Sequence, residues 1–142
     1  MVRLVLDTDV IVAAMRSPGG ASAALLGAVL ERRVSMLASV PLFIEYEAKC
    51  TAAEHYQAAG LVKAQALTFV DGLAALIQPV KTHYLWRPML RDPNDEMVLE
   101  AAVNGQADAI ITFNLKDYGT APSKFGMSIM PPGEALRRFC HA

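Results

Sequence analysis

Short apolar runs alternate along the chain with longer segments in which apolar residues recur at helical spacing. The runs are rich in β-branched and aliphatic residues, which is typical of buried strands. They predict one strand that ends at Asp7 and three more at 34–38, 107–112 and 127–130. The helical spacing predicts a short turn at 11–15, a helix from about Pro41 to Ala53, and helices at 21–33, 60–77, 92–105 and 132–139. Residues 80–91 have no clean period, so we predict a weak strand and a loop there.

The alternation of strands and helices predicts an α/β fold in which a central parallel sheet is flanked by helices. No repeat, linker or low-complexity segment interrupts the pattern, so the expectation is a single domain over residues 1–142. Ligands of open parallel sheets bind at the carboxyl ends of the strands. Polar residues that follow the strands are therefore the first candidates for a functional site.

Composition limits the kinds of partner that the protein can have. The chain is 54% hydrophobic and 19% charged, with a formal net charge of −1. No broad basic field attracts nucleic acid, so phosphate binding must depend on local cations or a bound metal. The apolar surplus predicts an extra apolar face on the helices at 21–33 and 60–77, suited to a homodimer or to a partner's amphipathic helix.

The cysteine and hydropathy patterns indicate where the protein works. Cys50 and Cys140 have no partner motif, which is typical of reduced thiols. No apolar stretch approaches the about 20 residues that span a bilayer. The three histidines have no zinc-ligand spacing. We therefore expect a soluble, cytoplasmic protein that does not bind a membrane.

Acidic residues converge on one edge of the predicted sheet. Asp7 ends the first strand and Asp117 follows the strand that ends at Thr112, so both lie at the carboxyl edge. The short connection after Gly105 brings the start of the preceding helix, with Asp95, to the same edge.

Simple capping is the alternative for these acids. Asp7 or Asp9 would suit a turn after the strand, and Asp92, Pro93 and Asp95 form a start that resembles a capping box. Capping suits Asp92 better and leaves Asp95 free to face inwards.

Glu45 and Glu47 lie on the helix after Pro41, and helical periodicity does not choose between them. A cluster of oxygen ligands without histidine or thiolate selects a hard cation, Mg²⁺ or Mn²⁺. Such ions favour phosphoryl transfer to water because they acidify water and neutralise charge on the phosphate.

In their order and spacing, these motifs resemble the PIN domain family, and within it the VapC-like toxin nucleases of prokaryotic toxin–antitoxin pairs. The resemblance rests on residues 4–10, the turn at 17–20, Glu45-Tyr46, the segments 92–96 and 110–117, and the final helix after Pro131. It implies a Rossmann-like PIN fold, a divalent metal, cleavage of RNA phosphodiester bonds and an antitoxin partner.

The resemblance also assigns roles to individual residues. Asp7 resembles the first metal ligand, Glu45 the acid of the second motif and Asp95 the third acid, which with Asp7 would bind the metal. The family usually has asparagine at the position of Asp9, and many members have aspartate at the position of Asn114.

The replacement at 114 would weaken a second metal site, and Asp117 is the nearest substitute as a fourth catalytic acid. Thr8 and Asn114 would support the site. Local cations close to the acidic motifs are the candidates for RNA contact: Arg16, Arg87, Arg91 and Lys116.

Two other functions fit parts of the sequence. Asp7-Thr8-Asp9-Val10 after an apolar strand also resembles the nucleophile motif of haloacid-dehalogenase-like phosphatases, with Asp7 as nucleophile. That family requires a downstream lysine and then an acidic pair, and only Asp117 and Glu134 follow. A catalytically weak PIN-like binding module is the second alternative, and Asn114 favours it.

Overall fold

The computed structural model describes residues 1–83 and 89–140. The described residues form five strands, β1 (Val2–Leu6), β2 (Val34–Ala38), β3 (Ile77–Pro79), β4 (Ala109–Ile111) and β5 (Ser128–Met130). They also form eight α-helices, α1 (Thr8–Arg16), α2 (Ala21–Leu30), α3 (Val40–Cys50), α4 (Ala53–Ala58), α5 (Lys63–Leu76), α6 (Pro93–Asn104), α7 (Ala121–Lys124) and α8 (Pro132–Phe139). A 3-10 helix, Leu115–Tyr118, follows β4.

All five strands are parallel and lie in the order β3-β2-β1-β4-β5. The strand order reverses at β1, so the chain leaves β1 and β4 towards different sides and opens a crevice between their carboxyl ends. Leu6 pairs with Ile111 across this junction, and the backbone N–H of Asp7 donates to the Ile111 carbonyl at 2.8 Å. The predicted α/β fold with a central parallel sheet is confirmed, and the residues after β1 and β4 are brought together.

Several predicted boundaries were wrong. The turn predicted at 11–15 is a helix of nine residues, α1. The helix predicted to run to Ala53 ends at Cys50, and α4 is a separate short helix. Helices α2 and α5 are shorter than the predicted 21–33 and 60–77, because Glu31 leaves the helix and Ile77 has an extended backbone.

The third described strand, β3, lies upstream of the segment 80–91 in which we predicted a weak strand. Ile77–Pro79 pairs with Met36–Ala38, while residues 80–83 and 89–91 contain no strand, and residues 84–88 of that prediction lie outside the described residues. Proline is tolerated there because β3 is an edge strand, where a missing N–H need not break the sheet. Pairing with β2 therefore outweighs the helical pattern that runs up to Ile77.

A tight contact fixes α6 relative to the sheet. Gly105 ends α6, and a Cβ atom at this position would lie 2.9 Å from both a Leu37 methyl and a Val80 methyl. The Gly105 carbonyl also accepts from the Arg3 guanidinium, with Nη2 at 2.7 Å. Because α6 packs on β1, β2 and β4, this contact sets how far its amino terminus extends over the sheet edge.

The helices predicted to present an apolar face do border a groove. Helices α2 and α5 enclose about 350 Å³, lined by Leu26, Gly27, Leu30, Thr68, Phe69, Gly72, Leu73 and Leu76. Leu30 is 70% exposed at its edge. No single helix among the described residues is long and apolar enough to cross a membrane. Helices α1 and α2, which are bent by 99° relative to each other, reach the length and hydropathy of a broken span only when they are taken together.

Candidate functional site

Asp7 lies at the centre of the site, in the crevice between β1 and β4. It occupies the position before α1, yet its side chain makes no capping hydrogen bond. Instead, its Oδ2 accepts from the Thr112 hydroxyl at 2.8 Å and from the Tyr118 hydroxyl at 2.9 Å. Asp7 is 6% exposed. The capping alternative therefore does not describe its side chain, which is held in place by the segment that follows β4.

The start of α6 separates the capping acid from the buried acid. The Asp92 side chain accepts from the Asn94 N–H at 2.9 Å and caps the helix. Asp95 is 6% exposed and faces the same crevice as Asp7. Glu96 accepts from the backbone N–H groups of Met89 and Leu90, so it holds the preceding loop. Of the acids at this helix start, Asp95 is the one left without a capping or loop-holding role.

Helix α3 contributes Glu45 rather than Glu47. The Glu45 side chain is 18% exposed and lies 3.9 Å from the Lys49 ammonium, while Glu47 is exposed. The buried Tyr46 hydroxyl donates to the Leu6 carbonyl, which ties α3 to the end of β1. This anchor directs Glu45 to the crevice, a choice that periodicity alone could not make.

These acids line one cavity of about 580 Å³, called here the acidic cavity. Thr8 and Asn114 line it as well. Its carboxylates come from four separate parts of the chain and are Asp7, Asp9, Glu45, Asp92, Asp95 and Asp117. The structure thus brings together every acid that the sequence proposed for catalysis.

Basic side chains border the acidic cavity on two sides. Arg16, Lys49 and His55 line the cavity itself. Arg91 and Lys116 line a neighbouring cavity of about 400 Å³, which shares Asp92, Asp95 and Asp117 with the first. Arg87, the fourth cation proposed from the sequence, lies outside the described residues.

The family of the chain follows from comparison with known proteins. A family model described as the PIN domain matches residues 3–116. The chain belongs to the PIN domain family. This confirms the family predicted from the sequence motifs, and the match favours it over the haloacid-dehalogenase-like alternative.

The PIN fold is also found among solved structures. The chain is similar to a chain in the crystal structure of VapBC2 from Rickettsia felis, in which VapBC2 is bound to a DNA fragment from its own promoter. The identity is 14% and the TM-score 0.63, over 89% of this chain and 96% of that one. At this identity the likeness shows a common fold, and the search of curated proteins gave no match.

Two acids that line the cavity of this PIN domain have raised pKa values. Burial, followed by the charge of Asp7, raises the pKa of Asp9 from 3.8 to about 6. Burial, followed by the charges of Asp7, Asp92 and Asp117, raises the pKa of Asp95 from 3.8 to about 6. Burial, followed by the charges of Asp7 and Asp95, raises the pKa of Tyr118, which keeps its hydroxyl a hydrogen-bond donor. The cavity therefore carries more negative charge than its own cations compensate.

The polar atoms of the acidic cavity fit a hard cation. Among the described residues, four buried side-chain atoms have no hydrogen-bond partner, and all belong to residues that line this cavity: Thr8 Oγ1, Asp9 Oδ1, Glu45 Oε1 and His55 Nδ1. Glu45 Oε1 has the Lys49 ammonium 3.9 Å away, but Asp9 Oδ1 has no ion-pair partner among the described residues. A buried carboxylate oxygen without donors is unfavourable unless a cation compensates it. The carboxylate and hydroxyl oxygens suit Mg²⁺ or Mn²⁺.

The acidic cavity fits a divalent cation that keeps part of its water shell. Across the described part of the chain, no three histidine, cysteine, aspartate or glutamate side chains lie close enough together to hold one ion. Mg²⁺ usually keeps several waters and is bound through one or two carboxylates, so direct bonds to all the acids are not needed.

Sequence reasoning missed three residues of this site. Tyr118, Lys49 and His55 each contact or line the cavity, but none belongs to an acidic motif. Lys49 lies one helical turn after Glu45, a spacing that could have indicated it. Tyr118 and His55 reach the site through tertiary packing, and no local sequence pattern indicates that.

Proposed function

We propose that the protein is a divalent-metal-dependent ribonuclease that cleaves RNA phosphodiester bonds. The observation that carries the proposal is the meeting of Asp7, Glu45, Asp95 and Asp117 in one cavity of a PIN domain, at the carboxyl edge of the sheet. Carboxylates brought together from distant parts of a chain, each without a cap or a full set of ion pairs, are typical of a site that works on a charged ligand. The alternative of separate structural roles does not explain their common orientation.

Asp7 and Asp95 are the residues that would hold the ion. Thr112 and Tyr118 fix one oxygen of Asp7, and α6 presents Asp95 at its amino terminus. When bound, Mg²⁺ or Mn²⁺ supplies positive charge that stabilises a phosphoryl group as negative charge builds on it. Glu45 and Asp117, on the other walls, are within the same cavity and are the candidates to orient or deprotonate water.

The flanking cations provide a path for the RNA backbone. Lys116 and Arg91 lie on the side of the neighbouring cavity, and Arg16 lies on the side of α1. A strand that crosses the acidic cavity would meet positive charge on both sides of the cleaved phosphate. Local cations of this kind serve a protein whose net charge of −1 gives no long-range attraction to RNA.

We further propose that the protein is the cytoplasmic toxin of a toxin–antitoxin pair. The support is the family resemblance in the motifs, together with the shared fold of VapBC2. The groove between α2 and α5 is an apolar surface of the kind that a second copy would bury, which supports a homodimer. An antitoxin would cover a further surface. A protein that is encoded beside this one and purifies with it would be the candidate antitoxin.

A binding module without turnover is the second candidate, and Asn114 is the observation that favours it. Asn114 lies on the wall of the cavity where a carboxylate would add charge. Such a module would bind RNA, with or without metal, and leave it intact.

A cleavage assay on labelled RNA, with Mg²⁺, Mn²⁺ or EDTA, tests the proposed function. We expect cleavage with either ion, none in EDTA, and a loss of roughly 10- to 100-fold or more for Asp7→Asn and Asp95→Asn. Glu45→Gln should lose activity, while Glu47→Gln, two residues away and outside the cavity, serves as the matched control. RNA that is bound but never cut under any of these conditions would favour the binding module.

A further inference from the structure

Asp9 and Asn114 are in direct contact across the junction between β1 and β4. Asp9 lies in the first turn of α1, and Asn114 lies two residues after Thr112. The Asn114 Nδ2 group donates to Asp9 Oδ2 at 3.0 Å, and the backbone N–H of Phe113 donates to the same oxygen at 3.1 Å. The Thr112 hydroxyl oxygen is 3.4 Å from this oxygen and only 2.8 Å from Asp7 Oδ2, and its single proton can serve one of them at a time. One oxygen of Asp9 is thus fixed by the segment after β4.

The other oxygen of Asp9 has no partner. Asp9 Oδ1 is buried and accepts no hydrogen bond, and no ion pair with Asp9 occurs among the described residues. Asp9 also lines the acidic cavity beside Asp7. A buried carboxylate oxygen without donors, next to a second carboxylate, is stable as an anion only beside a cation. Residues 1–83 and 89–140 supply no such cation at this atom.

We propose that Asp9 is a ligand of the divalent cation, with Oδ1 facing the ion while Asn114 and Phe113 hold Oδ2. The inference rests on the metal dependence in the proposed function. Because no three acids of the described residues lie close enough together to hold one ion, Asp9 would share direct coordination with Asp7 or Asp95, and water would link the ion to the other acid. A carboxylate whose second oxygen is already fixed by two donors is oriented before the ion arrives, as metal ligands commonly are. Asp9 therefore has an arrangement that a helix-capping acid would not need.

The contact also changes the meaning of two departures noted in the sequence. The residues at 9 and 114 are aspartate and asparagine here, where the resemblance leads one to expect asparagine and aspartate. Because the Asp9 and Asn114 side chains are hydrogen-bonded to each other, exchanging the two residue types leaves one carboxylate and one amide at this contact. The cavity therefore keeps the carboxylate, now at position 9. Asp9, rather than the exposed Asp117, then replaces the missing acid.

The test measures Mn²⁺ binding by the full chain without RNA, from the electron paramagnetic resonance signal of the free ion. We expect Asp9→Asn to lower the Mn²⁺ affinity roughly tenfold or more. The exchanged variant, Asp9→Asn with Asn114→Asp, should regain most of the affinity because it restores one carboxylate and one amide at the contact. Equal affinities for the parent and Asp9→Asn would overturn the proposal, as would an exchanged variant that binds no better than Asp9→Asn.

Two further measurements separate a metal ligand from a structural residue. In EDTA, Asp9→Asn should unfold at the same temperature as the parent or higher, since it removes an uncompensated buried charge. A clear loss of stability, with unchanged Mn²⁺ affinity, would assign Asp9 a structural role. If Asp9→Asn does not fold, anomalous scattering from Mn²⁺-soaked crystals of the parent decides, and an ion away from Asp9 overturns the proposal.

These results are distinct from the fate of the proposed function. A parent that binds Mn²⁺ through Asp9 and never cleaves RNA would refute the ribonuclease and leave this ligand in place. If the parent cleaves RNA and Asp9→Asn binds Mn²⁺ with unchanged affinity, the ribonuclease is supported and Asp9 is refuted as a ligand. A parent that binds no Mn²⁺ would overturn both.

Discussion

The Tyr118 hydroxyl donates a hydrogen bond to Asp7 Oδ2 at 2.9 Å, and both side chains are buried. Tyr118 lies at the end of the 3-10 helix after β4, while Asp7 directly follows β1. A hydrogen bond to a buried charged group contributes about 1.5–3 kcal/mol. This contact therefore both stabilises the fold and orients the central acid of the cavity.

Tyr118→Phe should lower the free energy of unfolding by about 1–3 kcal/mol, because it leaves Asp7 with Thr112 as its remaining side-chain donor. Urea denaturation measures the change. Tyr56→Phe is the matched control, since the Tyr56 hydroxyl makes no hydrogen bond within the described residues and its loss should change little. If both variants are as stable as the parent, the hydroxyl of Tyr118 does not hold Asp7.

The raised pKa values of Asp9 and Asp95 predict how stability depends on pH in the metal-free protein. Between the ordinary value of 3.8 and about 6, the folded state binds more protons than the unfolded state. The free energy of unfolding should therefore fall as the pH rises through this range. Thermal unfolding in EDTA from pH 4 to pH 7 measures it, and Asp95→Asn should give a shallower decline.

A bound divalent metal should restore the stability that the folded protein loses as the pH rises. Mg²⁺ binds the deprotonated carboxylates and stabilises the folded state, so its addition should raise the unfolding temperature more at pH 7 than at pH 5. A rise that is equal at both pH values would place the ion away from Asp9 and Asp95.

Lys116→Gln should weaken RNA binding and reduce the slope of log affinity against log salt by about one unit. Lys116 lies in the cavity that shares Asp95 and Asp117 with the acidic cavity. Binding is measured by fluorescence anisotropy at several salt concentrations in EDTA, where RNA stays intact. Lys124→Gln, an exposed lysine on α7 that lines neither cavity, should leave the slope unchanged.

Gly105→Ala should lower the free energy of unfolding by about 1–3 kcal/mol. The added Cβ atom would lie 2.9 Å from a Leu37 methyl, a Val80 methyl and the Ala101 carbonyl, so α6 must shift. Gly19→Ala, in the turn before α2 with no atom within 4 Å of the added Cβ, should be neutral or stabilising by up to about 1 kcal/mol. Chemical denaturation of both variants compares the two sites.

Light scattering at micromolar concentration should show a dimer, and Leu30→Glu should convert it to a monomer. Leu30 is 70% exposed on the groove between α2 and α5, so a charge there would oppose burial. Leu67→Glu changes an exposed leucine of α5 outside this groove and should leave the dimer intact. A parent that is monomeric throughout would show that the groove is not a dimer face.

The sequence predicted the parts of the fold that depend on local pattern. Four of the five strands follow apolar runs, and Asp92 and Asp95 were separated correctly into a capping acid and an inward-facing acid. Strand β3 was missed because Ile77 follows α5 without a turn residue, and only pairing with Met36 makes it a strand.

The contacts of the site could be predicted less well than its acids. The common edge of a parallel sheet was enough to bring Asp7 and Asp117 together. The hydrogen bonds of Tyr118 and Asn114 depend instead on how the segment after β4 turns back over β1, at a separation of more than 100 residues. No periodicity carries that information.

The position of β4 beside β1 also has a consequence for synthesis on the ribosome. Strands β1 and β2 are adjacent both in the sheet and along the chain, so they can pair while the chain is short. Asp7 gains Thr112 and Tyr118 only after β4 and the turn that follows it have been translated and have docked on the other side of β1. A nascent chain that lacks β4 therefore carries Asp7, Glu45 and Asp95 without the contacts that hold Asp7, and the acidic cavity is complete only after residue 118 has been translated and has docked.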